Sequence, residues 1–345
     1  MKRAILSVLL GLVLSAGGVF IAATQVSQPP QLGAVWPIVL GIGATLSCWV
    51  IQGAIIALLS RPRLGRSKVM EMTRVYLATQ TAGAITPFAG GEIAYQLLEL
   101  DRNGLASEDA GAVITIRSIL NGVVLVCGAV VGLLFVPQIP FVGETRLPLS
   151  SHTILLGALI AIVAAAIMAI AIRARARRRE EAGHAERFVW LKKILAKTRD
   201  YARRGKDYGR HVRDSLLWIW RQERWVVVGC LGLMALYWTI YPLLGTLALR
   251  ATGWDGSGWI HVYLAQYVLF LVIPFAPTPG NSGAAELAFV TLMSAYVPHG
   301  ALLGGVIIWR ILNHYSELVV GGFIAGRNLP EDIEIAKREF GSESG

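Results

Sequence analysis

Charged residues interrupt several long apolar stretches of this sequence, and they are the first candidates for chemistry. They are Glu92, Arg117, Glu286, Arg310 and Glu317. A charge in the membrane interior is costly, so such residues persist where they face a polar cavity or a partner. A guanidinium group stays ionised in a poor solvent, and its fork of donors matches phosphate or carboxylate. We therefore predict that Arg117 and Arg310 bind an anionic group, and that Glu92 and Glu286 neutralise them when the site is empty.

A second interpretation of the same residues is structural. Two buried Arg–Glu pairs would also fix the register of neighbouring helices without binding any ligand. The pairs recur in both parts of the sequence, and this recurrence favours the functional interpretation.

The composition indicates the elements that must hold these residues. Hydrophobic residues make up 54% of the 345-residue chain and charged residues only 16%, with a mean hydropathy of +0.56. Soluble domains carry about 25% charged residues, which excludes an ordinary cytosolic enzyme. Apolar runs near the length needed to cross about 30 Å of hydrocarbon are predicted to be transmembrane helices. These runs are 4–25, 34–60, 110–136, 150–172, 225–249 and 300–325.

Two further apolar stretches, 69–101 and 259–297, are broken near their middle by proline and glycine. Arg74 and Pro87 are 13 residues apart. This spacing gives about 20 Å of helix, which is short of a complete crossing. We expect each stretch to form a re-entrant hairpin, the first from the cytoplasmic side and the second from the external side. Two short complete spans are the alternative in each case.

The two broken stretches belong to an internal repeat. In each copy a Thr-Pro pair precedes a glutamate, and an arginine follows the proline after 30 or 31 residues. An asparagine and a Gly-x-x-x-Gly step, which permits close helix packing, come next. The matching residues are Thr86, Pro87, Glu92, Arg117, Asn121, Gly128 and Gly132 in one copy, and Thr278, Pro279, Glu286, Arg310, Asn313, Gly322 and Gly326 in the other.

These patterns predict an all-α polytopic membrane protein with two inverted repeats. Each repeat, about 34–136 and about 225–327, would be a span, a re-entrant hairpin and a span, and two extra transmembrane helices complete the domain. Inverted repeats with broken helices that meet at the midplane are typical of transporters. The transmembrane domain would cover 1–327, with a basic amphipathic linker at 173–224 within it and a cytoplasmic tail at 328–345.

The basic residues predict the orientation. Of 32 Lys and Arg residues, 28 fall in segments on the same side as both termini, and only Arg146 and Arg250 fall in the opposite loops. By the positive-inside rule, both termini and the 173–224 segment are expected in the cytoplasm of a bacterium, with the chain crossing the inner membrane several times. This rule also explains the net charge of +10. Without an aromatic–basic motif, we expect no nucleic-acid partner.

The residues at the two breaks extend the predicted binding site. Helices that begin near Gly90 and Ser282 would point their positive ends and free N–H groups at the midplane, where they favour an anion. The glycines let a phosphate approach the backbone, but a tight hairpin also requires them, and the sequence leaves both roles open. The added site residues are Gly90, Gly91, Asn121, Gly280, Asn281, Ser282, Gly283 and Asn313.

Other kinds of chemistry find little support. No histidine has metal-ligand spacing and no Gly-x-x-x-x-Gly-Lys-Ser/Thr loop occurs, so we expect no metal, no other cofactor and no nucleotide hydrolysis. The sequence Gly280-Asn281-Ser282-Gly283 is similar to the nucleophile motif of intramembrane serine proteases, with His314 as a candidate base. The first copy has no serine at this place, which disfavours a protease.

The two proline–glycine–glutamate signatures, 86–92 and 277–286, resemble those of the flippase-like membrane domain of bacterial lysylphosphatidylglycerol synthases and its stand-alone relatives. The resemblance covers about residues 1–327, although Asn281 and Ser282 stand where the family usually has two glycines. It implies movement of an aminoacylated phospholipid between leaflets. No aminoacyl-transferase domain follows the last span, so we expect a separate lipid-modifying enzyme to act with this chain.

The leading hypothesis is translocation of an anionic, phosphate-bearing lipid or lipid-linked headgroup by alternating access, with anionic membrane lipids as partners and no enzymatic activity. The first alternative is an intramembrane enzyme that acts on a polyprenyl- or phospholipid-linked substrate. A small-anion transporter and a partner-binding scaffold are further alternatives. Protonation of Glu92 or Glu286 would couple transport to the proton gradient. The sequence leaves open whether the chain forms a homo-oligomer.

Overall fold

The computed structural model describes residues 33–65, 68–86, 91–135, 223–276 and 278–327, with scattered positions in 214–221. Regular structure in these ranges is helical throughout. The predicted spans 4–25 and 150–172, most of the 173–224 linker, the 328–345 tail and Gly90 lie outside the described residues.

Two groups of helices make up the described chain. The N-terminal half (residues 33–135) contains α1 (Trp36–Leu64), α2 (Val69–Ala84), α3 (Gly91–Arg102) and α4 (Ser107–Phe135). The C-terminal half (residues 224–327) contains α5 (Arg224–Ile240), α6 (Leu243–Ala251), α7 (Trp259–Val272), α8 (Ala284–Met293), α9 (His299–Arg310) and α10 (316–327). Two 3₁₀ turns, Ile273–Phe275 and Pro279–Asn281, link α7 to α8, and a π turn, Ile311–Tyr315, joins α9 to α10.

Three of the predicted spans are confirmed in the described part of the chain. Helix α1, helix α4 and the consecutive helices α5 and α6 are each long and apolar enough to cross a membrane. The last of these is broken at Pro242, which has no N–H to continue the helical hydrogen bonds. The predicted span 300–325 is helical throughout, with the π turn near its middle.

Shorter helices flank each predicted break. Helices α2 and α3 have 16 and 12 residues, and α7 and α8 have 14 and 10. At 1.5 Å per residue, none of the four alone reaches the roughly 30 Å of a bilayer core. The breaks after Thr86 and at 278–283 therefore fall between short helices, as the proline and glycine content predicts.

Close helix packing at the predicted glycines is present in α4. In α4 a Cβ atom added to Gly132 would lie 2.7 Å from the backbone oxygen of Leu264 in α7, and one added to Gly128 would collide with the Tyr267 ring. In α10 no described atom lies within 4 Å of a Cβ added to Gly326, so close packing at this glycine stays a prediction. Gly321 of α10 packs more closely, because an added Cβ would overlap the Leu77 backbone oxygen in α2, whereas one added to Gly322 would lie 3.8 Å from Thr81 Cγ2.

The loop between α6 and α7 is held by its own polar contacts. The Arg250 side chain donates hydrogen bonds to the backbone oxygens of Trp254 and Asp255. The Ser257 N–H donates to the Asp255 carboxylate at 2.8 Å, and this bond lowers the pKa of Asp255. Arg250 is therefore engaged by the loop backbone.

Candidate functional site: a polar cavity between the two halves

A cavity of about 280 Å³ lies where the two halves meet, and both halves contribute to its wall. The N-terminal half supplies residues from α2 and the start of α3, and the C-terminal half supplies residues from six helices and turns. The lining residues are Gln80, Gly83, Ala84, Glu92, Tyr241, Phe270, Ile273, Pro274, Gly280, Asn281, Trp309, Arg310, Asn313, His314, Glu317 and Leu318.

Arg310, at the end of α9, forms the tightest ion pair of the cavity. Its Nε donates to Glu286 Oε1 at 2.8 Å, and the two side chains are 5% and 0% exposed. Its Nη2 donates at 3.5 Å and 3.4 Å to the backbone oxygens of Gly280 and Asn281. Nη1 forms no hydrogen bond within the described residues. The guanidinium group is therefore fixed on one edge, while the side chain lines the cavity.

The C-terminal break fixes the carboxylate that holds Arg310. Glu286 lies in the first turn of α8, and its Oε2 accepts the Gly283 N–H at 2.7 Å. This contact satisfies one of the N–H groups that a helix start leaves unpaired. Because one oxygen caps the helix and the other binds Arg310, Glu286 couples the break to the arginine.

Gly280 at this break has a specific conformational role. Its φ is +60°, which glycine adopts without strain, and an added Cβ would lie 2.8 Å from the His314 ring. The turn and the packing of His314 thus require glycine at this position. Ser282 is buried and does not line the cavity, and its backbone oxygen accepts a hydrogen bond from Thr278 Oγ1.

Arg117, in α4, has a different set of partners. Its Nε donates to Gln52 Oε1 at 3.1 Å and its Nη1 to Gln96 Oε1 at 3.0 Å. Its predicted partner Glu92 lies farther away, with Nη1 and Oε1 separated by 3.7 Å. Glu92 lines the cavity, whereas Arg117 does not. The guanidinium group also lies over the Tyr76 ring, 5.4 Å from its centroid.

The N-terminal break is held by a threonine hydroxyl. Thr86 Oγ1 accepts the N–H of Gly91, the first residue of α3, at 2.9 Å, and lies 2.9 Å from the Ala82 backbone oxygen. Gly91 is therefore placed at a capped helix start, next to Glu92.

The two predicted asparagines occupy different surroundings. Asn121 accepts a hydrogen bond from Trp238 Nε1 at 3.0 Å, which links α4 to α5, and it does not line the cavity. Asn313 lines the cavity, and its buried Oδ1 has no hydrogen-bond partner within the described residues.

Glu317 completes the acidic part of the wall. It lies in α10, is buried, and lines the cavity with Arg310. Its Oε1 accepts hydrogen bonds from Trp49 Nε1 at 3.2 Å and Tyr76 Oη at 3.4 Å. Among the described residues, no group of three or more His, Cys, Asp or Glu side chains is arranged to hold a metal ion.

Sequence reasoning missed the neutral residues that hold these charges. Gln52 and Gln96 bind Arg117, and Trp49 and Tyr76 bind Glu317. A usable signal exists for Gln52, because an amide inside an otherwise apolar span usually bonds across helices. No comparable signal marks Trp49 or Tyr76, whose ring atoms are equally at home in an apolar core.

Comparison with known proteins places this arrangement in context. The sequence profile described as "Lysylphosphatidylglycerol synthase TM region" matches residues 8–321. A relative described as "UPF0104 membrane protein", from Archaeoglobus fulgidus, is similar to this chain, with 28% identity over 104 residues. That match covers 28% of this chain and 31% of the relative, so it spans about a third of the relative's length.

Proposed function

Because this chain belongs to the lysylphosphatidylglycerol synthase transmembrane-region family, we propose that it translocates an anionic, phosphate-bearing lipid or lipid-linked headgroup between the leaflets of the bacterial inner membrane. Membership indicates a membrane protein of lipid metabolism or transport. The observation that carries the finer proposal is the polar cavity whose wall combines Glu92 from one half with Arg310 from the other. A separate lipid-modifying enzyme would supply the substrate.

The headgroup would bind at Arg310. The guanidinium group is held by Glu286 at Nε, so it is oriented before a ligand arrives, and its Nη1 edge is available for a phosphate oxygen. A charge-assisted hydrogen bond of this kind is about twice as strong as one between neutral groups. The acyl chains would remain in the bilayer while the headgroup crosses.

The movement would be alternating access between two inverted repeats. The short helices α2, α3, α7 and α8 would form re-entrant hairpins from opposite faces, with both chain termini in the cytoplasm. The cavity lies at their junction, so rocking one half against the other would change which leaflet it faces.

A liposome assay tests the proposal. The purified protein would be reconstituted with a labelled phosphatidylglycerol, and a membrane-impermeant quencher would score the label in the outer leaflet over time. We expect Arg310→Gln to reduce the rate to that of protein-free liposomes. The matched control is Arg250→Gln, since Arg250 contacts loop backbone and does not line the cavity. A normal rate for Arg310→Gln would refute the proposal.

A second candidate function is an intramembrane enzyme acting on a polyprenyl- or phospholipid-linked substrate. The observation that favours it is that His314 and Glu317, both capable of proton transfer, line the same cavity as Arg310. An enzyme would form product in detergent, where no second leaflet exists. A translocator would leave every candidate lipid chemically unchanged under the same conditions.

A further inference from the structure

Glu317 is a buried carboxylate whose hydrogen-bond donors are neutral. Trp49 Nε1 and Tyr76 Oη both donate to its Oε1, at 3.2 Å and 3.4 Å. Gln80, which also lines the cavity, donates to Tyr76 Oη at 3.3 Å and extends this neutral network. The side chain of Glu317 is therefore fixed in position without a cationic partner among the described residues.

Among the described residues, three carboxylates and two arginines lie at or next to the cavity. The two guanidinium groups of Arg117 and Arg310 are each engaged by another carboxylate, Glu92 at 3.7 Å and Glu286 at 2.8 Å. Glu317 is a third carboxylate, and it lines the cavity together with Arg310 and Glu92. Burial disfavours the ionised form of a carboxyl that has no positive partner, so a cation entering the cavity would be the partner that the described residues do not supply to Glu317.

Asn313 is a second, independent indication that a group in the cavity wall lacks a partner. It is 6% exposed and lines the cavity, and its Oδ1 is a buried acceptor without a hydrogen-bond partner in the described part of the chain. Buried acceptors in folded proteins are nearly always satisfied. Asn313 precedes Glu317 by four residues, about one helical turn, and both face the cavity. Two oxygen acceptors therefore line the same cavity.

We propose that Glu317 and Asn313 form a subsite for a monovalent cationic group, beside the anion site at Arg310. The aromatic residues Tyr241 and Trp309 line the same cavity and would add attraction for a cation. The cation would come from one of two sources, an ammonium group of the lipid headgroup or a free alkali ion. The assignment of the cation to a headgroup ammonium depends on the proposed translocation, whereas the existence of the subsite does not.

A binding measurement separates this proposal from transport. The full-length protein would be placed in nanodiscs of phosphatidylglycerol, which carries no amine, at fixed pH and ionic strength. Na⁺ and methylammonium would each replace the bulky cation N-methylglucamine, and tryptophan fluorescence would report binding, since Trp49 bonds Glu317 and Trp309 lines the cavity. We expect a saturable signal that Glu317→Gln weakens by about tenfold or more, as for loss of a charged hydrogen-bond partner.

Matched variants make the measurement specific. Glu99→Gln removes another buried carboxylate, one that pairs with Arg102 outside the cavity, and should leave the signal unchanged. Asn313→Asp should tighten cation binding, because it adds a second negative oxygen. Asn313→Leu should weaken it and keeps Glu317 in place, so it tests the subsite even where Glu317→Gln fails to fold.

The result identifies the source of the cation as well. Saturation by both Na⁺ and methylammonium indicates a free alkali ion, and saturation by methylammonium alone indicates a headgroup ammonium. The proposal is overturned if neither ion gives a saturable signal, if the signal follows pH alone, or if the Asn313 and Glu317 variants bind as the wild type does. A failed liposome assay leaves this binding result unaffected.

Discussion

Arg310 in the C-terminal half lies in a drier and more highly charged environment than Arg117 in the N-terminal half. The Arg310 pair has a 2.8 Å contact between side chains that are 5% and 0% exposed. The Arg117 pair has a 3.7 Å contact, and the Glu92 side chain is 32% exposed. Neutral amides of Gln52 and Gln96 make the shorter bonds to Arg117.

This difference separates the roles of the two arginines. Arg310 lines the cavity itself, whereas Arg117 reaches it only through Glu92. We infer that Arg310 binds the anionic group and that Arg117 positions α3 and its carboxylate. The two arginines then have different roles. Substitutions of Arg117 and Arg310 should therefore differ in how much stability and how much transport they remove.

The largest effect is expected from Arg310→Gln. Removal of the guanidinium group breaks the buried 2.8 Å ion pair with Glu286, and breaking a buried pair from one side costs about 3–5 kcal/mol of unfolding free energy. Denaturant unfolding in detergent measures this loss, and the liposome assay should show no transport. The double variant Arg310→Gln/Glu286→Gln should regain most of the stability and still fail to transport. Recovery of transport in the double variant would assign Arg310 a purely structural role.

Arg117→Gln should have a smaller effect on stability, about 1.5–3 kcal/mol, which is the range for hydrogen bonds to a charged group. Its partners Gln52 and Gln96 are neutral, and the partly exposed Glu92 loses little. Transport should fall but remain above the protein-free rate. If Arg117→Gln and Arg310→Gln behave alike in both assays, the distinction between the two positions is lost.

The glycines provide a third contrast between the halves. Gly132→Ala places a Cβ 2.7 Å from the Leu264 backbone oxygen, so α4 and α7 must separate. We expect a loss of about 1–2 kcal/mol, as is usual for overpacking, measured by thermal unfolding. Gly326→Ala on α10, where an added Cβ would have no described atom within 4 Å, is the matched control and should be neutral or slightly stabilising because alanine favours helix. Equal destabilisation by both would contradict the packing described here.

Much of the fold was accessible from local sequence signals. Uninterrupted apolar length predicts α1, α4 and the α5–α6 span, and proline with glycine predicts the breaks after Thr86 and before Ala284. The Arg310–Glu286 pair was also predictable, because a charge in an apolar span requires a partner. Each of these signals can be read from residues that are close in sequence or belong to one copy of the repeat.

The partners that cross between distant segments were not predictable. Gln52 and Arg117 are 65 residues apart, and Trp49 and Glu317 are 268 apart. Only the packed arrangement of α1, α4 and α10 brings them together, and nothing in a single sequence fixes that arrangement. That α10 packs against α2 at Gly321 and not at Gly326 depends in the same way on how α10 is rotated about its axis relative to α2.

The asparagines show how one residue of spacing changes a role. Asn121 follows Arg117 by four positions, but Asn313 follows Arg310 by three. Asn313 also lies in the π turn Ile311–Tyr315, whereas Asn121 lies in the regular helix α4, so the two amides take different directions relative to their arginines. Asn121 accordingly meets Trp238 in α5, and Asn313 meets the cavity.

The smallest effects are expected from alanine substitutions of these two asparagines, and they should differ in kind. Asn121→Ala should cost about 0.5–1.5 kcal/mol of stability through the lost bond to Trp238, and should leave transport unchanged. Asn313→Ala should do the reverse, because its Oδ1 has no partner to lose within the described residues and its amide lines the cavity. Unfolding midpoints and liposome rates measured on both variants give the comparison. A transport defect in Asn121→Ala without one in Asn313→Ala would contradict this comparison. It would place the substrate path beside α5 instead of in the cavity, since the described hydrogen bond of Asn121 is to Trp238 in α5.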